Sequence, residues 1–215
     1  LTNDQINSLN EINKDLSSTN KMFRLLQGDV GSGKTIVSLL GAINTINSGF
    51  QVAFMAPTEI LARQHYNLAK KIFSSDINIE LISGKTEYKT KKELLKKLEN
   101  NKIDMIFGTH AIFQKKVIFK KLGLIIIDEQ HKFGVNQRKR LSDKGGIDCD
   151  VLLMTATPIP RTLTMTIYGD MDISIIREKP KNRKPIKTYS KLEIKIDDVL
   201  KFIKKEISLN NQIFW

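Results

Sequence analysis

Two groups of residues in this sequence have the types and spacing for chemistry on a phosphate chain. The first is Gly28-Asp29-Val30-Gly31-Ser32-Gly33-Lys34-Thr35, which reads G-x-x-x-x-G-K-T. Three glycines let the backbone curl so that successive N–H groups point inward at phosphate oxygens. A helix opening at this point turns the positive end of its dipole to the same oxygens. Lys34 supplies a point charge that can reach β and γ phosphates, and the Thr35 hydroxyl is placed to ligate Mg²⁺. The second group is Asp128-Glu129, at the end of the most apolar run in the chain. There the Asp can hold the metal shell, and the next carboxylate can polarise an attacking water. The plainer readings are a Gly-rich turn with an incidental lysine and an acidic helix cap. Burying carboxylates has a cost that such plain roles do not offset.

Both groups need elements to position them. The phosphate loop requires a strand before it and a helix after it. Met22 to Leu26 reads as that strand, and the helix runs on to about Asn47, ended by Ser48-Gly49. Ahead of it, Ile6, Leu9, Ile12 and Leu16 recur at helical spacing behind Thr2, a good N-cap. Further short apolar runs, without alternation, predict buried strands at 51–56, 77–82, 103–107, 122–127 and 151–154. Helices are expected at 59–73, 91–100 and 135–141 between them. Strands alternating with helices predict an α/β fold, with a mostly parallel central sheet covered by helices on both faces. The polar motifs all fall at C-terminal strand ends, the edge where open α/β sheets bind ligands. Beyond residue 170 the pattern weakens. Strands are expected at 173–176, 186–189 and 212–215 around a basic connector, and a helix at 197–207.

Bulk composition sets limits. The 215 residues are enough for one sizeable core and the start of another. Hydrophobic residues at 40% and charged residues at 27% describe an ordinary globular chain, and no run is long and apolar enough to span a bilayer. The single cysteine, Cys149, has no partner for an internal disulfide, which suits a reducing cytoplasm. A net charge of +12 suggests a polyanionic partner. That argument is discounted because the 28 Lys against 7 Arg, with abundant Asn and Ile, also fit compositional drift. Lys89, Lys91, Lys92, Lys96 and Lys97 read first as a solvated helix face.

The motifs taken together carry a family resemblance. Asp128-Glu129-Gln130-His131 is a DExH box, and it stands in order with Gly28 to Thr35, Ala56-Pro57-Thr58-Glu59, Gly108-Thr109-His110 and Thr155-Ala156-Thr157. This set resembles the first motor domain of a superfamily 2 helicase. Leu26 to Thr35, Ala56 to His65, Gly108 to Gln114 and Thr155 to Leu163 are similar to the RecG family of bacterial ATP-dependent DNA helicases, which remodel stalled forks and branched junctions. The resemblance covers essentially the whole chain and includes Tyr168 to Asp172 and Arg183 to Ile186. The transcription-repair coupling translocase is the nearest alternative, and Gln130 and Glu59 favour RecG over it. A non-translocating P-loop nucleotide switch is the alternative from another class.

The resemblance implies a RecA-like P-loop domain using ATP and Mg²⁺, with branched or forked DNA as partner, in the bacterial cytoplasm. It implies that the 28–35 loop binds nucleotide and that Gln5 meets the adenine. Lys34, Asp128, Glu129 and His131 would be catalytic, with Thr35 and Asp128 on the metal. Thr58, Arg63, Thr109 and His110 would lie near DNA phosphates, and Gln130, Thr155 and Thr157 would couple nucleotide state to strand grip. His65 reads as helix packing. Lys132 stands where the family has Arg, which keeps charge but loses bidentate geometry. The expected domains are 1–170, the first motor domain, and 171–215, a connector with the start of a second. A wedge domain and the second motor domain with its arginine finger are expected outside this sequence.

Overall fold

A computed structural model describes residues 1–73, 75–114, 116–129, 149–157, 171–178 and 186–215. Seven parallel strands form one sheet in the order β3-β4-β2-β5-β6-β1-β7. They are β1 (Phe23–Gly28), β2 (Gln51–Met55), β3 (Ile79–Ile82), β4 (Met105–Gly108), β5 (Leu122–Ile127), β6 (Asp150–Thr155) and β7 (Asp172–Ile176). The helices are α1 (Asn3–Leu16), α2 (Lys34–Asn47), α3 (Glu59–Ile72), α4 (Tyr88–Glu99) and α5 (Ile196–Ser208), with a 3₁₀ turn at His110–Phe113. The α/β fold with its parallel sheet is as the apolar runs predict. Every residue of β2 is buried, as are the last four of β5, because helices cover both faces. Alternate residues feed two cores. Leu26, Phe54, Phe107 and Ile126 pack with Val37 of α2 on one face. Leu25, Ala53, Ile106 and Ile127 pack with Leu94 and Leu98 of α4 on the other.

Local chemistry sets the ends. Thr2 caps α1 in a reciprocal box with Gln5. Glycine at position 49, with φ of 82°, lets the chain leave α2 after its cap at Ser48. Gln51 is buried at the opposite edge from the motifs, and all its polar atoms are used. Its Nε2 donates to Leu98 O and Ile103 O, each at 2.9 Å, and its Oε1 accepts from the N–H groups of Lys120 and Lys121. One side chain thus satisfies four backbone groups of the connections entering β4 and β5.

The later part of the chain differs from expectation. Ile173–Ile176 is a strand, but it pairs with β1, so it belongs to the first compact unit, Leu1–Pro180, and not to a connector beginning at 171. In the second unit, Lys181–Trp215, residues 186–189 and 212–215 are irregular and mostly exposed. An apolar run becomes a strand only with a neighbour to take its ladder hydrogen bonds, and no described residue pairs with either. The helix expected at 197–207 is present as α5, and none of its residues is buried. The helix expected at 135–141 lies outside the described residues.

Candidate nucleotide site and nucleic-acid edge

Strand register brings the motifs to one edge. β1 lies between β6 and β7, with Gln27 opposite Thr155 and Gly28 opposite Ile176. β2 lies between β4 and β5, with Met55 opposite both Gly108 and Ile127. The phosphate loop, Asp128 and Thr155 therefore leave β1, β5 and β6 side by side. Ala56, Thr109 and Ser83 leave β2, β4 and β3 side by side. The edge has two halves, and the seam between them runs between β2 and β5.

The phosphate loop departs from β1 and enters α2 through Gly31 at φ 78° and Gly33 at φ 91°, values that suit glycine alone. A Cβ on Gly28 would lie 2.5 Å from Ser32 Oγ, and one on Gly33 would overlap Gln5 Nε2. Gly33 opens α2 with no side-chain cap, so the first N–H groups of the helix face the loop. Lys34 is buried, and its Nζ donates to Gly28 O at 2.6 Å and to Asp29 O at 3.1 Å. Burial pushes its pKa down, and the charges of Asp128, Glu129 and Asp29 push it back up. The acidic pair at the end of β5 thus lies close enough to the loop lysine for its charge to act on it. Asp29 Oδ1 accepts from Val30 N–H at 2.8 Å, and the Val30 side chain is exposed.

Asp128 is buried, and Glu129 follows with φ 52°, in the left-handed region that non-glycine residues seldom enter. Holding a non-glycine residue there costs on the order of 1 kcal/mol. Gln130, His131 and Lys132 lie outside the described residues. Thr155 is fully buried, and its Oγ1 accepts from the Thr157 N–H at 3.1 Å, while Thr157 is exposed.

Gln5 lies on the inner face of α1 with Ser8 and Ile12. It is buried, and its Nε2 donates to Ser32 O at 2.7 Å while its Oε1 accepts from Thr2 N–H. What sets α1 there is Arg24, to which the motifs gave no signal. This buried guanidinium on β1 donates to Asp15 Oδ2 at 2.7 Å and to Ser174 Oγ at 2.9 Å, and it lies near Glu11 and Asp172. Ser174 also bonds Glu11. At the other end of α1, Asp4 Oδ2 accepts from the N–H groups of Arg177 and Glu178, which hold its carboxyl below the usual range. Helix α1 is thereby fixed to β1 and β7, and Gln5 to the phosphate loop.

On the other half of the edge, Thr58 caps α3, its Oγ1 accepting from Leu61 N–H at 3.3 Å. Arg63 is more than half exposed and pairs with Glu59 at 3.6 Å. Thr109 opens the 3₁₀ turn, and His110 is exposed. The lysines of α4 lie mostly in solvent, as read. His65 does more than pack. Its ring lies 4.7 Å from that of Phe54, and its Nε2 is 2.8 Å from Asp128 Oδ2. The signal was available: His65 falls on the α3 face of buried Ala62 and Ala69, where a polar side chain needs a partner.

The donor set fits ATP and Mg²⁺. An uncapped helix start, a positive-φ glycine loop and a buried lysine make an anion cradle. Ser32 Oγ is buried in it without a hydrogen-bond partner among the described residues. No cluster of three or more His, Cys, Asp or Glu residues suited to a metal occurs among the described residues. Mg²⁺ commonly takes one or two protein oxygens, with phosphates and waters completing its shell. Thr35 and Asp128 would be those oxygens.

Comparison with known proteins places this arrangement. The chain is 49% identical, over its whole length, to the ATP-dependent DNA helicase RecG of Bacillus subtilis (strain 168) and spans 31% of that protein. It is 48% identical to the RecG of Borreliella burgdorferi, again over the whole chain and 31% of the relative. The solved structure of RecG bound to a three-way DNA junction matches with a TM-score of 0.85 at 42% identity, over 97% of this chain and 28% of that one. Among the described residues no helix is long and apolar enough to cross a membrane. A family model described as DEAD/DEAH box helicase matches residues 2–166, from the capped start of α1 past the end of β6, and the chain belongs to that family.

Proposed function

We propose that this chain is the ATP-binding motor domain of a RecG-like DNA helicase, coupling ATP hydrolysis to translocation on and remodelling of branched DNA in the cytoplasm of a bacterium. The observation that carries the reading is a phosphate loop with Lys34 buried in it and Gln5 braced against it, on the same sheet edge as the buried Asp128. The similarity to RecG along the whole chain supports the DNA substrate. In this reading the loop N–H groups and Lys34 bind the phosphates, and Gln5 meets the adenine with the hydrogen and lone pair its amide has left after Ser32 O and Thr2 N–H. Thr35 and Asp128 would hold Mg²⁺, which when bound would offset the charge that develops on the phosphates. Glu129 orients the attacking water and takes its proton. His131 senses the γ-phosphate, and Gln130, Thr155 and Thr157 pass nucleotide state to the DNA half of the edge. There Thr58, Arg63, Thr109 and His110 hold phosphates, which fixes position without reading sequence.

Residues 186–215 open a second motor domain, whose arginine finger completes the site; such a finger contributes about 10³–10⁵ in rate. The test compares this chain alone with the full-length protein on forked DNA. The full-length protein should hydrolyse ATP in a DNA-stimulated manner and unwind the fork, and the isolated chain should turn over ATP at a small fraction of that rate. Brisk DNA-stimulated hydrolysis by the isolated chain would defeat the split-site reading.

A further inference from the structure

We propose that His65 is a positioning residue for Asp128, holding the metal-binding carboxylate from the helix that follows the DNA-side strand. The inference rests on the reading of Asp128 as a Mg²⁺ holder. Asp128 begins where β2 and β5 end together, and its own N–H donates to Met55 O at 2.9 Å. It thus sits on the seam between the two halves of the edge. His65 reaches it from the far side of that seam. An ionised carboxylate only accepts, so the imidazole Nε2–H is the donor to Oδ2 in the 2.8 Å bond.

The imidazole is itself fixed. Its side chain is 12% exposed and that of Asp128 is 11%, so neither has water enough to replace the other. The ring lies against Phe54 at 42°, and Phe54 stacks on Phe107 at 5.1 Å. Those rings hold the His65 ring plane, and the ring plane holds the carboxylate plane. One oxygen of Asp128 is occupied, and Oδ1 would be the oxygen that holds Mg²⁺. Mg²⁺ demands near-ideal octahedral geometry. A carboxylate already turned to the metal avoids an ordering cost that a free rotor would meet. The same helix carries Thr58 at its N-cap and Arg63 on its exposed side.

The test uses the full-length protein, with Mn²⁺ as the probe, read by electron paramagnetic resonance in the presence of a non-hydrolysable ATP analogue. His65→Phe keeps a ring on Phe54 and removes the donor. His65→Gln sacrifices the ring and keeps an amide N–H at comparable reach. His65→Met is a second apolar replacement, should the Phe variant fail to fold. Loss of a residue that orients a metal ligand typically costs about 10- to 100-fold in metal affinity. The apolar variants should weaken Mn²⁺ by that factor and lower kcat, with the KM for DNA unchanged. His65→Gln should restore most of the Mn²⁺ affinity. Wild-type Mn²⁺ affinity in a folded apolar variant overturns the proposal, as does a Gln variant that falls as far as the Phe variant. Asp128→Asn separates the two readings. It should abolish Mn²⁺ binding at this site. If it does so while His65→Phe has no effect, the positioning proposal alone fails. If it leaves Mn²⁺ bound, the role of Asp128 fails and the proposal with it.

Discussion

Replacing Gly33 by Ala should damage the phosphate loop by two separable routes. The backbone there has φ of 91°. Holding an L-residue in that region costs about 1–2 kcal/mol. The added methyl would also overlap Gln5 Nε2, which donates to Ser32 O. Displacing that amide loses a buried hydrogen bond, about 0.5–1.5 kcal/mol. The two contributions together give about 2–3 kcal/mol, or a fall of roughly 1 M in the urea midpoint at ordinary slopes for a chain of this size. Gln5→Ala removes the overlap in advance and loses its own two hydrogen bonds. In that background, Gly33→Ala should cost only the backbone strain. Urea unfolding of the four chains in the cycle should show a favourable coupling of about 1 kcal/mol between the two substitutions. Additive effects would refute the account in which Gln5 braces the loop through this contact.

Two further predictions concern other parts of the fold. Asp4 is depressed first by the Glu178 N–H, then by that of Arg177, with burial acting against them. A lowered folded pKa contributes stability above the unfolded value and loses it as pH falls through the folded one. Asp4→Asn should therefore destabilise at neutral pH, and the difference from wild type should vanish in acid. A difference that persists at low pH would show that the carboxylate charge is not what holds β7 to α1. Cys149 is buried, and burial pushes its thiol up to about 12. Iodoacetamide should label it slowly at pH 8 in the native protein and fast in urea, and rapid native labelling would contradict its burial.

How much of this was legible depends on what each feature needs. The sheet was legible because buried parallel strands must be continuously apolar. Gly28 to Thr35, Asp128 and Glu129 could be singled out because their types and their place at strand ends are those that phosphate and metal chemistry would require. Arg24 was not singled out and His65 was read as helix packing, because what each does depends on register between distant segments. The arginine meets Asp15 and Ser174 only after α1 and β7 have both packed on β1. His65 meets Asp128 only because β5 lies beside β2, a crossover that no local pattern encodes. The strand expected at 186–189 failed for the same reason: an apolar run does not state whether a neighbour exists.

The central claim is that Asp128 and Glu129, set beside Lys34, form an ATP-hydrolysing site that drives DNA remodelling. Glu129→Gln in the full-length protein tests it most directly. The change removes the base while keeping shape and hydrogen bonding. The account predicts unchanged ATP binding, with DNA-stimulated hydrolysis lost by about 10²–10⁴-fold, the usual contribution of a positioned base, and fork unwinding lost with it. Undiminished hydrolysis or unwinding in that variant would contradict the account.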